Sequence, residues 1–236
     1  MAGFRLLVLS ASCLAIAAAP LAAQTSAEQN PLLTRSTLPF EAPPFDKIKD
    51  SDFQPAFDEG MRQSLADVTK IADQAATPTF DNTIVALERS GVLLRRVQQV
   101  FGALAQSNTN PALQGVRREE APKLAAHSDA IDLNPKLFAR IEAVYDHRKN
   151  SGLSAEQQYL VERYYIRFVR AGAKLSEPDK VKLRALNQEE STLRNAFASK
   201  LPAATKAGAL IVDSTAELAG LSTADVAAAA QAADGR

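Results

Sequence analysis

Imidazole and thiol side chains are scarce in this chain of 236 residues, which has two histidines, one cysteine and no tryptophan. A protein zinc site usually needs two or three imidazoles or thiolates close together, and a disulfide needs two cysteines. His127 and His147 are the only imidazoles, and Cys13 is the only thiol. Metal, redox and disulfide chemistry is therefore restricted before any motif is considered.

Neither sign of charge is in excess, because 27 Lys and Arg residues balance 27 Asp and Glu residues. Nucleic-acid-binding proteins usually concentrate basic residues on one face, so no nucleic-acid partner is expected. Ten glycines and twelve prolines are too few for a loop-dominated fold, and 6% aromatic residues disfavour a β-sandwich. The composition predicts a mainly α-helical globular protein.

The first residues have the character of a secretory signal peptide. Arg5 precedes an apolar run over residues 6–19, and Pro20 and small residues follow it. Residues 1–23 are therefore predicted to be removed on export, which indicates a periplasmic location. The apolar run is shorter than the ~20 residues that span a bilayer, so no stable membrane anchor is expected. Acylation of Cys13 is a weaker alternative, because Ser10 stands where a lipobox has an aliphatic residue.

Residues 24–51 are predicted to form an extended, proline-rich arm. Pro31, Pro39, Pro43 and Pro44 interrupt any helical period there. The arm's exposed apolar side chains would then be its points of docking on the rest of the protein, and they are Leu38, Phe40 and Phe45.

Residues 52–206 are predicted to form an elongated lobe of six helices, because apolar residues recur at spacings of three and four. The first helix starts at Asp52 and stops before Thr77–Pro78, and the second runs unbroken from about Asn82 to Gln106. Four further helices start after Asn110, Asn134, Ser154 and Ser176, which are residues that cap helices well. The last of the six carries an apolar stripe of Leu183, Leu186, Leu193, Phe197 and Leu201.

Residues 207–236 are predicted to begin a following α/β segment. The β-branched run at 209–212 indicates one short strand, Ser214 caps a turn through Leu218, and Ser222 with Asp225 caps a final helix. A single strand cannot satisfy its own backbone hydrogen bonds, so the chain is expected to be a piece of a longer protein.

Histidine chemistry is weakly supported. His127 is followed by Asp129 and Asp132, which allows a His/carboxylate cluster to be drawn, but a surface or partly buried structural histidine is the favoured interpretation. His147 lies near a helix C-terminus, where its positive charge would be favourable.

Other catalytic patterns are weaker still. Glu119–Glu120 and Glu189–Glu190 are adjacent on helices, about 100° apart, and are predicted to be solvated faces. Motifs for a serine nucleophile or a phosphate-binding loop are absent. An aromatic stripe of Tyr159, Tyr164, Tyr165 and Phe168 is a possible peptide groove, although core packing is favoured. No catalytic, cofactor-binding or metal-binding residue is assigned.

Six blocks of this sequence resemble the amino-terminal region of bacterial dipeptidyl carboxypeptidases, in the thimet oligopeptidase and oligopeptidase A family of zinc metallopeptidases. The blocks occur in order, and the resemblance extends over essentially all of the chain after residue 23 without a large gap. They comprise residues 44–61, 78–101, 121–134, 137–148, 160–175 and 212–222.

The resemblance implies a helical, clam-like enzyme whose deep channel admits short peptides and whose zinc ion is held by an HExxH motif and a further Glu. Such enzymes release dipeptides from the peptide C-terminus. This sequence contains no HExxH, so the chain is expected to supply channel wall, bind no zinc and be inactive alone. The alternative is a stand-alone helical periplasmic module that binds peptides or a protein partner.

Overall fold

The computed structural model describes residues 30–233, and these residues are mainly α-helical, as predicted. The predicted signal peptide and Cys13 lie outside the described residues. Within them we number seven α-helices: α1 (Phe53–Ala72), α2 (Val92–Ser107), α3 (Pro111–Asp132), α4 (Pro135–His147), α5 (Ala155–Arg170), α6 (Glu177–Ala207) and α7 (Thr223–Ala233).

Polar caps start the middle helices where the sequence predicts them. Asn110 Oδ1 accepts the Leu113 amide at 2.9 Å, and Asn134 Oδ1 accepts the Leu137 amide at 3.1 Å. Ser154 and Gln157 form a reciprocal capping box at the start of α5. Each cap satisfies amides that have no partner in the first turn, so these starts are set locally.

The predicted second helix is not continuous. It is divided into a π-helical segment, Phe80–Val85, with a short α-turn, Ala86–Glu88, and then the separate helix α2. Gly91 breaks it with a φ of 62°, a left-handed conformation that favours glycine. The Arg95 guanidinium caps the first piece by donating to the carbonyls of Glu88 and Ser90.

The predicted strand at 209–212 is wrong. These residues have no regular structure, and Leu210 and Ile211 are exposed. No strand is present elsewhere in residues 30–233 to pair with them, and an unpaired strand leaves its backbone groups without partners. The neighbouring predictions are confirmed, because Ser214 caps the 3₁₀ turn Thr215–Leu218 and Ser222 bonds to Asp225 at the start of α7.

Two hydrophobic clusters hold the helices together, and α1 contributes to both. The first lies where α1 meets α2 and α3, and Phe101 packs edge-on against Phe53 and Phe57 at centroid distances of 5.2 and 5.3 Å. Gly60 allows this close crossing, because a Cβ there would lie 2.9 Å from Leu94 Cα. The second cluster joins the end of α1 to α4, α5 and the segment at 80–88.

Arg140 fixes the connection that leaves α1. This residue is buried, and its guanidinium donates to the Gln74 and Ala76 carbonyls and to the Asn82 side chain. Because these acceptors lie on the loop after α1 and on the π-helical segment, one side chain of α4 orders both.

The arm docks through its first described residues, not through the apolar points that the sequence suggested. Leu32 is buried, and its carbonyl accepts a 2.7 Å hydrogen bond from Arg96 Nη2. Leu38, Phe40 and Phe45 remain exposed, so the predicted docking role is wrong for all three. Phe40 and Glu41 both have a φ of 57°, in the left-handed region.

Helix α6 packs against α3 and presents an apolar surface on another side. This surface, the α6 stripe, consists of Leu186, Leu193, Phe197 and Leu201, which are 48–66% exposed. Their spacing of seven, four and four residues places them on one helical face. None of the helices within residues 30–233 has the length and apolar character needed to cross a membrane.

Candidate functional site

Helices α3 and α6 enclose a groove of about 650 Å³, which we call the α3–α6 groove. Asp129 of the predicted histidine–carboxylate cluster faces it, is buried, and accepts a 2.6 Å hydrogen bond from Asn187 Nδ2 of α6. Asp132 also lines the groove and bonds to Arg167 at 2.9 Å. Burial raises the pKa of Asp132, and the nearby Arg167 opposes that shift. Asp129 therefore links α3 to α6, and Asp132 links α3 to α5.

His127 does not join this pair. Two residues along a helix correspond to about 200°, so His127 and Asp129 project from opposite sides of α3. His127 is buried, its Nε2 has no hydrogen-bond partner among residues 30–233, and burial lowers its pKa. The histidine–carboxylate cluster that the sequence allowed is thus not brought together, in agreement with the favoured interpretation of His127 as a structural histidine.

The described residues do not fit a zinc site. Among residues 30–233, no three His, Cys, Asp or Glu side chains are placed to hold a metal ion. His147 is exposed at the end of α4, and its Nδ1 lies 2.9 Å from the Ala143 carbonyl oxygen. The structure therefore gives neither histidine a metal-binding partner within the described residues.

The prediction that Glu119–Glu120 is a solvated face is wrong for Glu120. Its side chain is buried and accepts hydrogen bonds from Gln54 Nε2 at 2.7 Å and Lys123 Nζ at 2.9 Å. Burial raises its pKa, and the bond from Lys123 works in the opposite direction. The reason is that this side of α3 faces α1, which the spacing of two glutamates does not reveal.

Glu189 and Glu190 are exposed as predicted. Glu190 makes a 3.3 Å ion pair with Arg194 on the surface of α6. Neither pair of adjacent glutamates provides the two facing carboxylates that acid–base catalysis requires.

The aromatic residues that form the predicted stripe on α5 lie in different environments. Tyr159 is exposed, whereas Phe168 is buried in the second hydrophobic cluster. Tyr165 stacks on Tyr145 with ring centroids 3.9 Å apart, and the Tyr164 hydroxyl donates to Glu88 at 2.7 Å. Tyr164, Tyr165 and Phe168 pack against α4 and the 80–88 segment, whereas Tyr159 does not, so the four residues do not line a common peptide groove.

A second groove, of about 790 Å³, lies between the arm and α2, and we call it the arginine groove. Its basic lining residues are Arg35, Arg89, Arg95 and Arg96, and its acidic ones are Glu41 and Glu88. Sequence reasoning missed this site. The one local signal is the Arg95–Arg96 pair, which does not by itself indicate a groove.

Comparisons with curated proteins point to a class of peptidases. The chain is 48% identical over 204 residues, 86% of its length, to dipeptidyl carboxypeptidase of Escherichia coli K12 and to that of Salmonella typhimurium. It is 26% identical over 200 residues to oligopeptidase A of E. coli. No protein-family model matches the chain. The resemblance to dipeptidyl carboxypeptidase and oligopeptidase A predicted from the sequence is confirmed.

The matches cover only part of those relatives. This chain spans 30% of the length of each dipeptidyl carboxypeptidase and 29% of that of oligopeptidase A. The similarity therefore extends over one portion of each of these relatives.

Proposed function

We propose that this chain is a noncatalytic helical part of a longer, exported zinc metallopeptidase that releases dipeptides from the C-terminus of short peptides. In this role it supplies part of the wall of the substrate channel, and zinc is bound by another part of the enzyme. The observation that carries the proposal is the 48% identity to dipeptidyl carboxypeptidase over 86% of the chain.

The α6 stripe supports a role within a longer polypeptide. Leu186, Leu193 and Phe197 are each more than 60% exposed, on the same face of a 31-residue helix. Contiguous exposed apolar surface of this kind usually marks an interaction site. We therefore take the α6 stripe to be the surface that packs against the remainder of the enzyme.

The stripe also disfavours the alternative of a stand-alone peptide-binding module. A monomeric module would gain nothing from a row of leucines and a phenylalanine in water, where each costs free energy in proportion to its exposed apolar area. If the alternative held, the isolated chain would be monodisperse and would bind its partner without further protein.

The proposal is tested by a chimera of E. coli dipeptidyl carboxypeptidase in which the segment matched by this chain is replaced by the corresponding residues of this chain. We expect the chimera to release C-terminal dipeptides from a blocked tetrapeptide, to lose that activity with a chelator and to regain it with zinc. The 236-residue chain alone should release none. Hydrolysis by the isolated chain, or a folded but inactive chimera, would contradict the proposal.

A matched pair of variants tests the α6 stripe in the same chimera. Leu193→Glu introduces a charge on the stripe, whereas Gln188→Glu introduces one on a different exposed face of α6. We expect the first to lower thermal stability and activity together, because a buried, unpaired carboxylate is costly. The second should leave both unchanged. Equal behaviour of the two variants would show that the stripe is not an interface.

A further inference from the structure

Three arginines of the arginine groove present donors that the described part of the chain does not use. Arg89 donates its backbone amide to the Val85 carbonyl, but its guanidinium makes no hydrogen bond or ion pair within residues 30–233. Arg96 is held by the bond from its Nη2 to the Leu32 carbonyl, and its buried Nε has no partner among the described residues. Arg95 is oriented by the Glu88 and Ser90 carbonyls through Nη2 alone. A guanidinium carries five N–H donors, so all three retain capacity for an anion.

The acidic residues of this groove are already engaged. Glu41 pairs with Arg35, and Glu88 accepts a 2.7 Å hydrogen bond from the Tyr164 hydroxyl. Arg89, Arg95 and Arg96 thus keep an excess of positive charge. Burial lowers the pKa of Arg96, the charge of Glu41 opposes that shift, and the charge of Arg35 adds to it.

Apolar side chains lie beside these cations. Phe45 and Val92 line the groove and are 51% and 59% exposed. The groove volume of about 790 Å³ is within the range of roughly 300–1,000 Å³ typical of ligand sites. A fitting ligand therefore combines carboxylates with at least one apolar group, as an acidic peptide does.

We propose that the arginine groove binds an acidic peptide, whose carboxylates pair with Arg89, Arg95 and Arg96 and whose apolar side chain contacts Phe45 and Val92. Arginine and carboxylate form short, charge-assisted hydrogen bonds. A sugar–phosphate backbone fits less well, because it lacks an apolar side chain to contact Phe45 and Val92. The site goes beyond the proposed function, since binding here requires no cleavage.

The test is fluorescence polarisation with the full 236-residue chain and an N-terminally fluorescein-labelled, C-terminally amidated peptide, Ala-Glu-Phe-Glu-Glu-Ala. The control peptide has Gln in place of each Glu. We expect the Glu peptide to bind about tenfold more tightly at low salt and to lose that advantage at high salt. Equal affinity for the two peptides, or no binding of either, would overturn the proposal.

Two charge-reversal variants locate the site. Arg89→Glu should weaken binding of the Glu peptide about tenfold, because it replaces an attraction with a repulsion in the groove. Arg118→Glu makes the same change in charge at an exposed position of α3 outside the groove and should leave affinity unchanged. Circular dichroism verifies that both variants are folded. Equal loss in the two variants, or tighter binding of a labelled single-stranded oligonucleotide, would rule out the proposed site and ligand.

Discussion

Asn187 of α6 donates a 2.6 Å hydrogen bond to the buried carboxylate of Asp129 on α3. This bond crosses between two helices that pack against one another. Because the acceptor is a charged group largely shielded from water, the loss of its donor should have a measurable cost.

Replacing Asn187 with Ala should destabilise the protein by about 1–3 kcal/mol, because it leaves the Asp129 oxygen buried without its donor. The measurement is the free energy of unfolding from urea titrations followed by circular dichroism. Gln188→Ala, at an exposed neighbouring position, is the control and should change stability by less than about 0.5 kcal/mol. If the two variants are equally stable, the bond does not fasten α6 to α3.

The buried Glu120 should make stability depend on pH. Its carboxyl faces Gln54 and Lys123, with Asp58 and Glu119 near enough to act on it, and burial raises its folded-state pKa above the ordinary value of 4.5. The folded state therefore binds a proton more tightly than the unfolded state does. The contribution of Glu120 to stability is greatest below the ordinary pKa and declines as pH rises through the raised one.

Comparing the wild type with Glu120→Gln by urea titration at a series of pH values isolates this effect. The variant should lack the decline in stability that Glu120 causes. The difference in free energy of unfolding between the two proteins should therefore change as pH rises from the ordinary pKa of 4.5 through the raised pKa of Glu120. Glu119→Gln, at the exposed neighbour, should retain the wild-type profile. Parallel profiles for the wild type and Glu120→Gln would show that Glu120 ionises in the folded state as easily as in the unfolded one.

Replacing glycine with alanine at positions 60 and 102 should change the stability of the protein in opposite directions. Gly60→Ala places a Cβ 2.9 Å from Leu94 Cα, so α1 and α2 must move apart, and we expect a loss of about 1–3 kcal/mol. Gly102→Ala, inside α2 with no atom within 4 Å of the new Cβ, should instead stabilise by about 0.5–1 kcal/mol. Thermal melts of both variants test the pair. A stabilising Gly60→Ala would mean that the crossing is looser than described.

Arg140→Ala should release the loop between α1 and the π-helical segment. It removes the donors to the Gln74 and Ala76 carbonyls and a buried side chain of α4, and we expect a loss of about 1–3 kcal/mol. Hydrogen exchange should rise first at residues 73–82. Arg140→Lys keeps the charge but lacks the planar fork, so it should restore only part of the protection. Unchanged exchange in both variants would contradict the anchoring role.

The parts of the fold that were predictable from sequence are those that depend on adjacent residues. Asn110, Asn134 and Ser154 cap helices with side chains that reach amides two or three residues away, so the starts of α3, α4 and α5 follow from local sequence. The break at Gly91 was missed because the apolar period continues across it, and that period does not reveal the left-handed conformation of one glycine.

The candidate sites depend on contacts between residues that are far apart in the sequence, so they were harder to predict from it. The burial of Glu120 requires Gln54, which is 66 residues away, and the arginine groove combines residues 35–45 with residues 88–103. The run at 209–212 has the composition of a strand, yet strand formation depends on a pairing partner, and residues 30–233 do not provide one.

Helix α1 belongs to both hydrophobic clusters: Phe53 and Phe57 pack in one, and Val68 and Ile71 in the other. Neither cluster can unfold without loss of packing on α1, which also belongs to the other cluster. A destabilising change in one cluster therefore affects the other through the 20 residues of α1. The two clusters should unfold in a single cooperative transition, and a ligand that stabilises either cluster should stabilise both.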